Sequence, residues 1–262
     1  MGDVLGWLDF AAPALYGGVL IFLRLTTCLM MMPELGTGQV PIRTRVVLGV
    51  VITVAIDAGL GLVVVPVPTA PTLIALHLAR EILLGAALGL AVRLINATVQ
   101  MAGDLAGLSM GLSLATFFDL NAGEMPLAMG RLFGLVGSMM FMALGGHLVV
   151  VGALFEHLSQ HPVGVAELVL PSLDSLVAAL QHSIETAVLL ASPVIVVALL
   201  LNVAMGFVMR VVPSMNLFNI GIGILLAGGF LALALEGDAM VVLLGHEVTR
   251  LPEHMSTLAG GP

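Results

Sequence analysis

The sequence predicts an all-α integral membrane protein built as a bundle of kinked helical hairpins, and three observations carry that prediction. Hydrophobic residues make up 60% of the 262 residues and charged residues only 9%, with a mean hydropathy of +1.17. That leaves too little polar surface for a soluble globule of this length. The apolar residues gather into six runs of about 20 residues or more, the length a membrane crossing requires. Finally, a run such as Leu173 to Val212 would, at about 1.5 Å per residue, far exceed a hydrocarbon core of about 30 Å, so something other than lipid must cover it.

The first run, Pro13 to Met32, follows MGDVLGWLDF, an acidic stretch without the positive region of a cleaved signal, and is expected to stay in the mature protein. It holds Arg24 and the single cysteine, Cys28, so neither an intrachain disulfide nor a cysteine metal site is available. The second, Val46 to Val65, follows a loop at 33 to 45 whose Arg43 and Arg45 favour a cytoplasmic side. Arg210 would share that side if all six runs cross, whereas Arg250 points the other way. Pro66, Pro68 and Pro71 break the chain before the third run, Leu73 to Ala102. The fourth is Pro126 to Phe155. After Glu156 to Pro171 comes Leu173 to Val212, where Pro193 offers a kink. A tight break at Pro213 and Ser214 then predicts that Met215 to Leu235 folds back as an antiparallel hairpin. The tail after Glu236 is mixed and partly polar.

Charges within or at the rims of these runs are costly in lipid: Arg24, Asp57, Arg80 with Glu81, Arg93, Arg131, Glu185 and Arg210. At about 100° per residue, Glu81, Gly85, Gly89, Arg93, Asn96, Gln100, Gly103, Asp104 and Gly107 share one face of a helix. That stripe is expected to face protein. It is either a packing seam inside one bundle, since small and polar residues join membrane helices, or a subunit interface or conduit wall. A second stripe places Asn202, Gly206 and Arg210 at i, i+4, i+8. It leads into the break at Pro213, after which Asn216 serves as a helix cap, a partner contact, or both.

Between the third and fourth runs, GDLAGLSMGLSLATFFD (Gly103 to Asp119) repeats glycine every fourth residue and ends in Phe117, Phe118 and Asp119. A segment this apolar between two membrane helices suits a plug. Part of Gly107 to Asn121 is expected to be non-helical, with Met110, Phe117 and Phe118 as a dewetting constriction. Gly107 and Gly111 supply the freedom to move aside. Ordinary packing is the competing reading.

Other chemistry is sparse. All eight basic residues are arginine and the net charge is -8, which argues against nucleic acid. No Walker A, HExxH, GxSxG, CxxC or strand-linked GxGxxG motif occurs, so no enzyme and no cofactor are expected. Of the seven histidines, His157 and His161 share i, i+4 spacing, with Glu156 as the sole nearby carboxylate, a poor basis for a metal site. The sixteen methionines read as flexible apolar packing.

Several segments together resemble the FliR family, flagellar biosynthetic proteins of the type III export gate that share a plan with virulence-system relatives. The resemblance rests on Arg24 with PELGTGQVP, EILLGAALGL from Glu81, AGDLAGLSMGLSLATFFD, Gly145 to His147, HPVG from His161, and NVAMGFVMRVVPSMNLFNIG from Asn202. Leu148, Ser214 and Gly223 to Leu225 depart from the common pattern. The resemblance implies a core subunit, residues 1–168 being FliP-like with a plug loop at 107–121 and residues 169–262 a FliQ-like hairpin half with its tail. It implies assembly with FliP- and FliQ-like subunits, and with FlhB- and FlhA-like subunits, into a spiral pore at the bacterial inner membrane within the flagellar basal body. Unfolded export substrates would pass through it. A spiral sitting largely above the bilayer plane would account for the overlong helices. Alternatives are a virulence export gate, a purely structural assembly subunit, or a secondary transporter of small solutes, which should show inverted repeats.

Overall fold

The computed structural model describes residues 2–32, 40–112, 128–165, 172–211 and 217–260. Seven helices form among them: α1 (Gly2–Met31), α2 (Ile42–Gly59), α3 (Pro71–Ser109), α4 (Ala128–Ala143), α5 (Gly146–Gln160), α6 (Leu173–Val211) and α7 (Leu217–Leu258). The chain divides into two compact units, Met1–Arg93 with Gly145–Ala179 and Thr249–Pro262, and Leu94–Leu144 with Leu180–Val248. Each unit draws on both sides of residue 168, so compactness follows the helix packing and not a sequential division.

In the first unit α1 buries Leu20, Ile21, Arg24, Leu25 and Cys28, the three- and four-residue spacing of one helical face. α2 packs on α1, where Gly49 sits so close that a Cβ there would stand 2.8 Å from Thr26 Oγ1. The second apolar run was expected to stay helical to Val65, but α2 ends at Gly59. Gly61 takes φ +86°, the Leu62 amide donates to the Asp57 carbonyl at 3.0 Å and the Gly61 amide to that of Ala58 at 3.3 Å. This is the Schellman closure that a left-handed glycine permits. Asp57 is thereby explained: its Oδ1 accepts from the Val63 amide at 2.9 Å. The chain then runs extended, and the Val65 amide donates to the Pro13 carbonyl at 3.2 Å.

The other boundaries shift for similarly local reasons. α3 continues past Ala102 to Ser109, a helix of 39 residues. The fourth run is two helices, because Gly145 at φ +74° breaks it after Leu144. α7 runs on through the partly polar tail to Leu258. Its apolar Leu244, Val248, Leu251, Met255 and Leu258 are buried at spacings of four, three, four and three, so a helix periodicity was present beneath the charges.

The core of the second unit joins Ala102, Ala106 and Met110 of α3, Met129 and Phe133 of α4, Ala187, Ala191 and Val194 of α6, and Ala232 and Leu244 of α7. Small side chains dominate, which lets the helix backbones approach closely. α6 and α7 run antiparallel here: His182 pairs with Glu247, Gly228 faces Leu201 and Val197, and Gly221 faces Met205. The turn expected at Pro213 and Ser214 lies outside the described residues.

Among the described residues four helices are long and apolar enough to cross a membrane, Ala11–Met31, Pro71–Ser109, Leu173–Val211 and Ile220–Leu258, and a fifth crossing results if α4 and α5 count as one broken span. α2 is not among them, because its 18 residues include Arg43, Arg45 and Asp57. The count therefore falls short of the six crossings that the apolar runs suggest.

Candidate functional site

The most strongly charged interior site lies in the first unit. Arg24 stands on the buried face of α1 and Glu81 on that of α3, and both side chains are 0% exposed. Arg24 Nε donates to Glu81 Oε2 at 2.6 Å, and Arg80 Nη1 donates to Glu81 Oε1 at 2.9 Å. Arg24 Nη1 also donates to the His161 carbonyl at 2.8 Å and lies 3.3 Å from His157 Nδ1. Arg80 Nη1 reaches the Pro162 carbonyl at 3.4 Å. One carboxylate is thus clasped by two guanidinium groups whose Nη1 atoms also hold the turn that follows α5. Chemically the cluster is a lock. Each ion costs several kcal/mol to bury, and only the combination of opposite charge and directed hydrogen bonds offsets that. The sequence flagged Arg24, and Arg80 with Glu81, as costly. What it did not reveal is that Arg24 pairs with Glu81, 57 positions away, and with His157, 133 positions away.

The α3 stripe divides between the two units. In the first, Gly85 rests on the backbone of Arg24 and on Thr27, and a Cβ at Gly89 would stand 2.8 Å from Met31 Cβ and 2.9 Å from the Cys28 carbonyl oxygen. Arg93 is exposed. In the second, Asn96 Nδ2 donates to Ser138 Oγ at 2.8 Å and to the Gly134 carbonyl at 3.4 Å, and Gln100 also flanks Gly134. The Asp104 carboxylate lies against Gly130, and Gly103 and Gly107 admit Phe133 and Met129 of α4. Most of the stripe is therefore engaged inside its own chain.

The plug segment begins where α3 stops. Gly111 has φ +79°, the Leu112 amide donates to the Gly107 carbonyl at 3.0 Å and the Gly111 amide to that of Leu108 at 3.1 Å. Here too a left-handed glycine closes the helix. Met110, expected in a constriction, has no exposed surface and packs on Gly229 of α7. It belongs to the core. Phe117, Phe118 and Asp119 lie outside the described residues, as do Pro213 and Asn216.

On α6 the buried residues are small or polar, Ser183, Thr186, Ala187, Ala191, Val194 and Ala198. Beyond Ala198 the helix exposes Leu199, Leu200, Val203 and Phe207 together with Asn202, Gly206 and Arg210. An amide and a guanidinium within so apolar a surface mark a face that suits protein better than lipid.

The model of the family described as bacterial export proteins, family 1, matches residues 15–251. The chain is similar to the flagellar biosynthetic protein FliR of Escherichia coli K12, 32% identical over 81% of this chain and 80% of that protein. It is likewise similar to the FliR proteins of Pectobacterium carotovorum, 29% identical over 82% and 81%, and of Aquifex aeolicus, 28% identical over 87% and 88%. With apolar helices long enough for four or five crossings and a family match over most of its length, this chain belongs to the FliR family, multi-pass membrane proteins of flagellar biosynthesis and export.

Proposed function

We propose that the chain is a core subunit of the flagellar type III protein export gate, assembling with FliP- and FliQ-like subunits in the bacterial inner membrane around a pore for unfolded flagellar proteins. The observation that carries this proposal is the outer face of α6. Its large apolar side chains are exposed while Asn202, Gly206 and Arg210 interrupt them, and polar groups in such a surface seek protein partners within a membrane. Arg93 on α3 is exposed in the same way. The remaining stripe residues, Glu81, Gly85, Gly89, Asn96, Gln100 and Asp104, support the assembly from within by holding α3 against α1 and α4.

The gate itself is assigned to the segment beyond Gly111. Gly107, Met110 and Gly111 anchor its start to the core, and Phe117 and Phe118 form the apolar constriction that excludes water, followed by Asp119. Copurification tests the assembly. A tagged chain expressed with its sibling gate subunits should retain them, and the variant N202L/R210L should lose them while the chain itself remains in the membrane. Full retention by that variant would remove α6 from the interface.

A further inference from the structure

A cleft of about 290 Å³ opens between the C-terminal turns of α5 and α7, within the first compact unit. His157 and Met255 form its buried floor, and Glu156, Gln160, Glu253 and Ser256 stand exposed on its rim. No lysine or arginine lines it among the described residues.

His157 is 7% exposed. Its Nδ1 faces the Arg24 guanidinium at 3.3 Å. An arginine nitrogen only donates, so Nδ1 must be the acceptor and the ring proton sits on Nε2. That Nε2 is buried without a hydrogen-bond partner among the described residues. A buried unpaired donor is unfavourable by about 1–3 kcal/mol, and here it is a directed request for an oxygen acceptor. A metal ion is a poor candidate, because it needs the lone pair on the nitrogen that carries the proton. A free anion would meet the carboxylates of Glu156 and Glu253. The fitting occupant brings a neutral acceptor oxygen together with a positive charge, which are the backbone carbonyl and side chain of a basic residue.

We propose that this cleft docks a lysine- or arginine-bearing segment of a partner protein, its carbonyl accepting from His157 Nε2 and its basic side chain lying between Glu156 and Glu253. His161, whose ring centroid is 4.7 Å from that of His157, is half-buried on the turn after α5, and docking would require its side chain to move aside for the carbonyl.

The test uses the full-length protein in detergent micelles with ¹⁵N-labelled histidine, titrated with acetyl-Gly-Lys-Gly-amide and, separately, with acetyl-Gly-Gln-Gly-amide. The His157 signal is assigned by its loss in H157N, or, if that variant does not fold, through H161Q, which keeps it and removes its neighbour's. The lysine peptide should shift the His157 Nε2 resonance saturably, the glutamine peptide should not, and E156Q/E253Q should weaken the response about tenfold. The proposal is overturned by the absence of a shift, by equal shifts from both peptides, or by an unchanged response in E156Q/E253Q. It is equally overturned by a resonance that is already hydrogen-bonded and indifferent to either peptide, which would mean a buried water only.

Discussion

Glu81 neutralises two guanidinium groups, Arg24 and Arg80, at a position with no exposed surface, so its replacement is not a local matter. E81Q keeps the volume and removes the charge, leaving Arg24 buried without its anion. Breaking a buried pair from one side costs about 3–5 kcal/mol, and the detergent-solubilised protein should show a clearly lower thermal midpoint. R24M/E81M should lose less than the sum of the single variants, because removing Glu81 then strands only Arg80 and no longer Arg24 as well. Additive losses would show that the pair is not coupled. Backbone sign matters at the same scale. Gly111 at φ +79° closes α3, so G111A should destabilise by about 1–2 kcal/mol. G152A provides the contrast: it sits in mid-helix with nothing within 4 Å of the added methyl and should be neutral or slightly stabilising.

Helices were the legible level of this chain, and their ends were not. Hydropathy located the described helices except that it merged α4 and α5 into one run, and the pairing of α6 with α7 followed from the shortness of the break between them. The ends at Gly59 and Ala143 depend on a left-handed glycine two residues on, at Gly61 and Gly145, and glycine is too common here, at 31 residues, for any single one to announce itself. The α7 tail was missed because Glu236, Asp238, Glu247 and Arg250 hid a regular buried stripe. Likewise the α3 stripe was legible as protein-facing, but not which protein, since a seam within the chain and a seam between chains call for the same small and polar residues. The hairpin register is directly testable. In a C28A background, M205C/G221C should be bridged by a short bifunctional thiol reagent in membranes, because a Cβ at Gly221 would stand 3.0 Å from Met205 Sδ. M209C/G237C, at mismatched levels of the hairpin, should not be bridged. Equal bridging of both pairs would exclude the fixed register.

For the whole molecule the decisive question is whether closure and assembly are separate properties. The proposed constriction cannot be tested by deleting Gly107 to Gly111, because that stretch includes Met110, buried on Gly229, and the glycine that ends α3. Such a deletion would damage the second unit before it opened anything. Phe117 and Phe118 follow that stretch in sequence, so F117S/F118S addresses the proposed seal without altering Met110 or Gly111. Two aromatic rings keep a narrow passage dry, and two hydroxyls admit water and the ions that travel with it. Cells producing F117S/F118S with the sibling gate subunits should therefore leak small ions, measured as membrane depolarisation or as conductance of the reconstituted complex, while copurification of the siblings stays at the wild-type level. N202L/R210L should behave in the opposite way, losing the siblings without an added leak, because no assembled pore remains to conduct. If F117S/F118S assembles fully and conducts no more than the wild type, the phenylalanines are packing residues and the seal lies in another subunit.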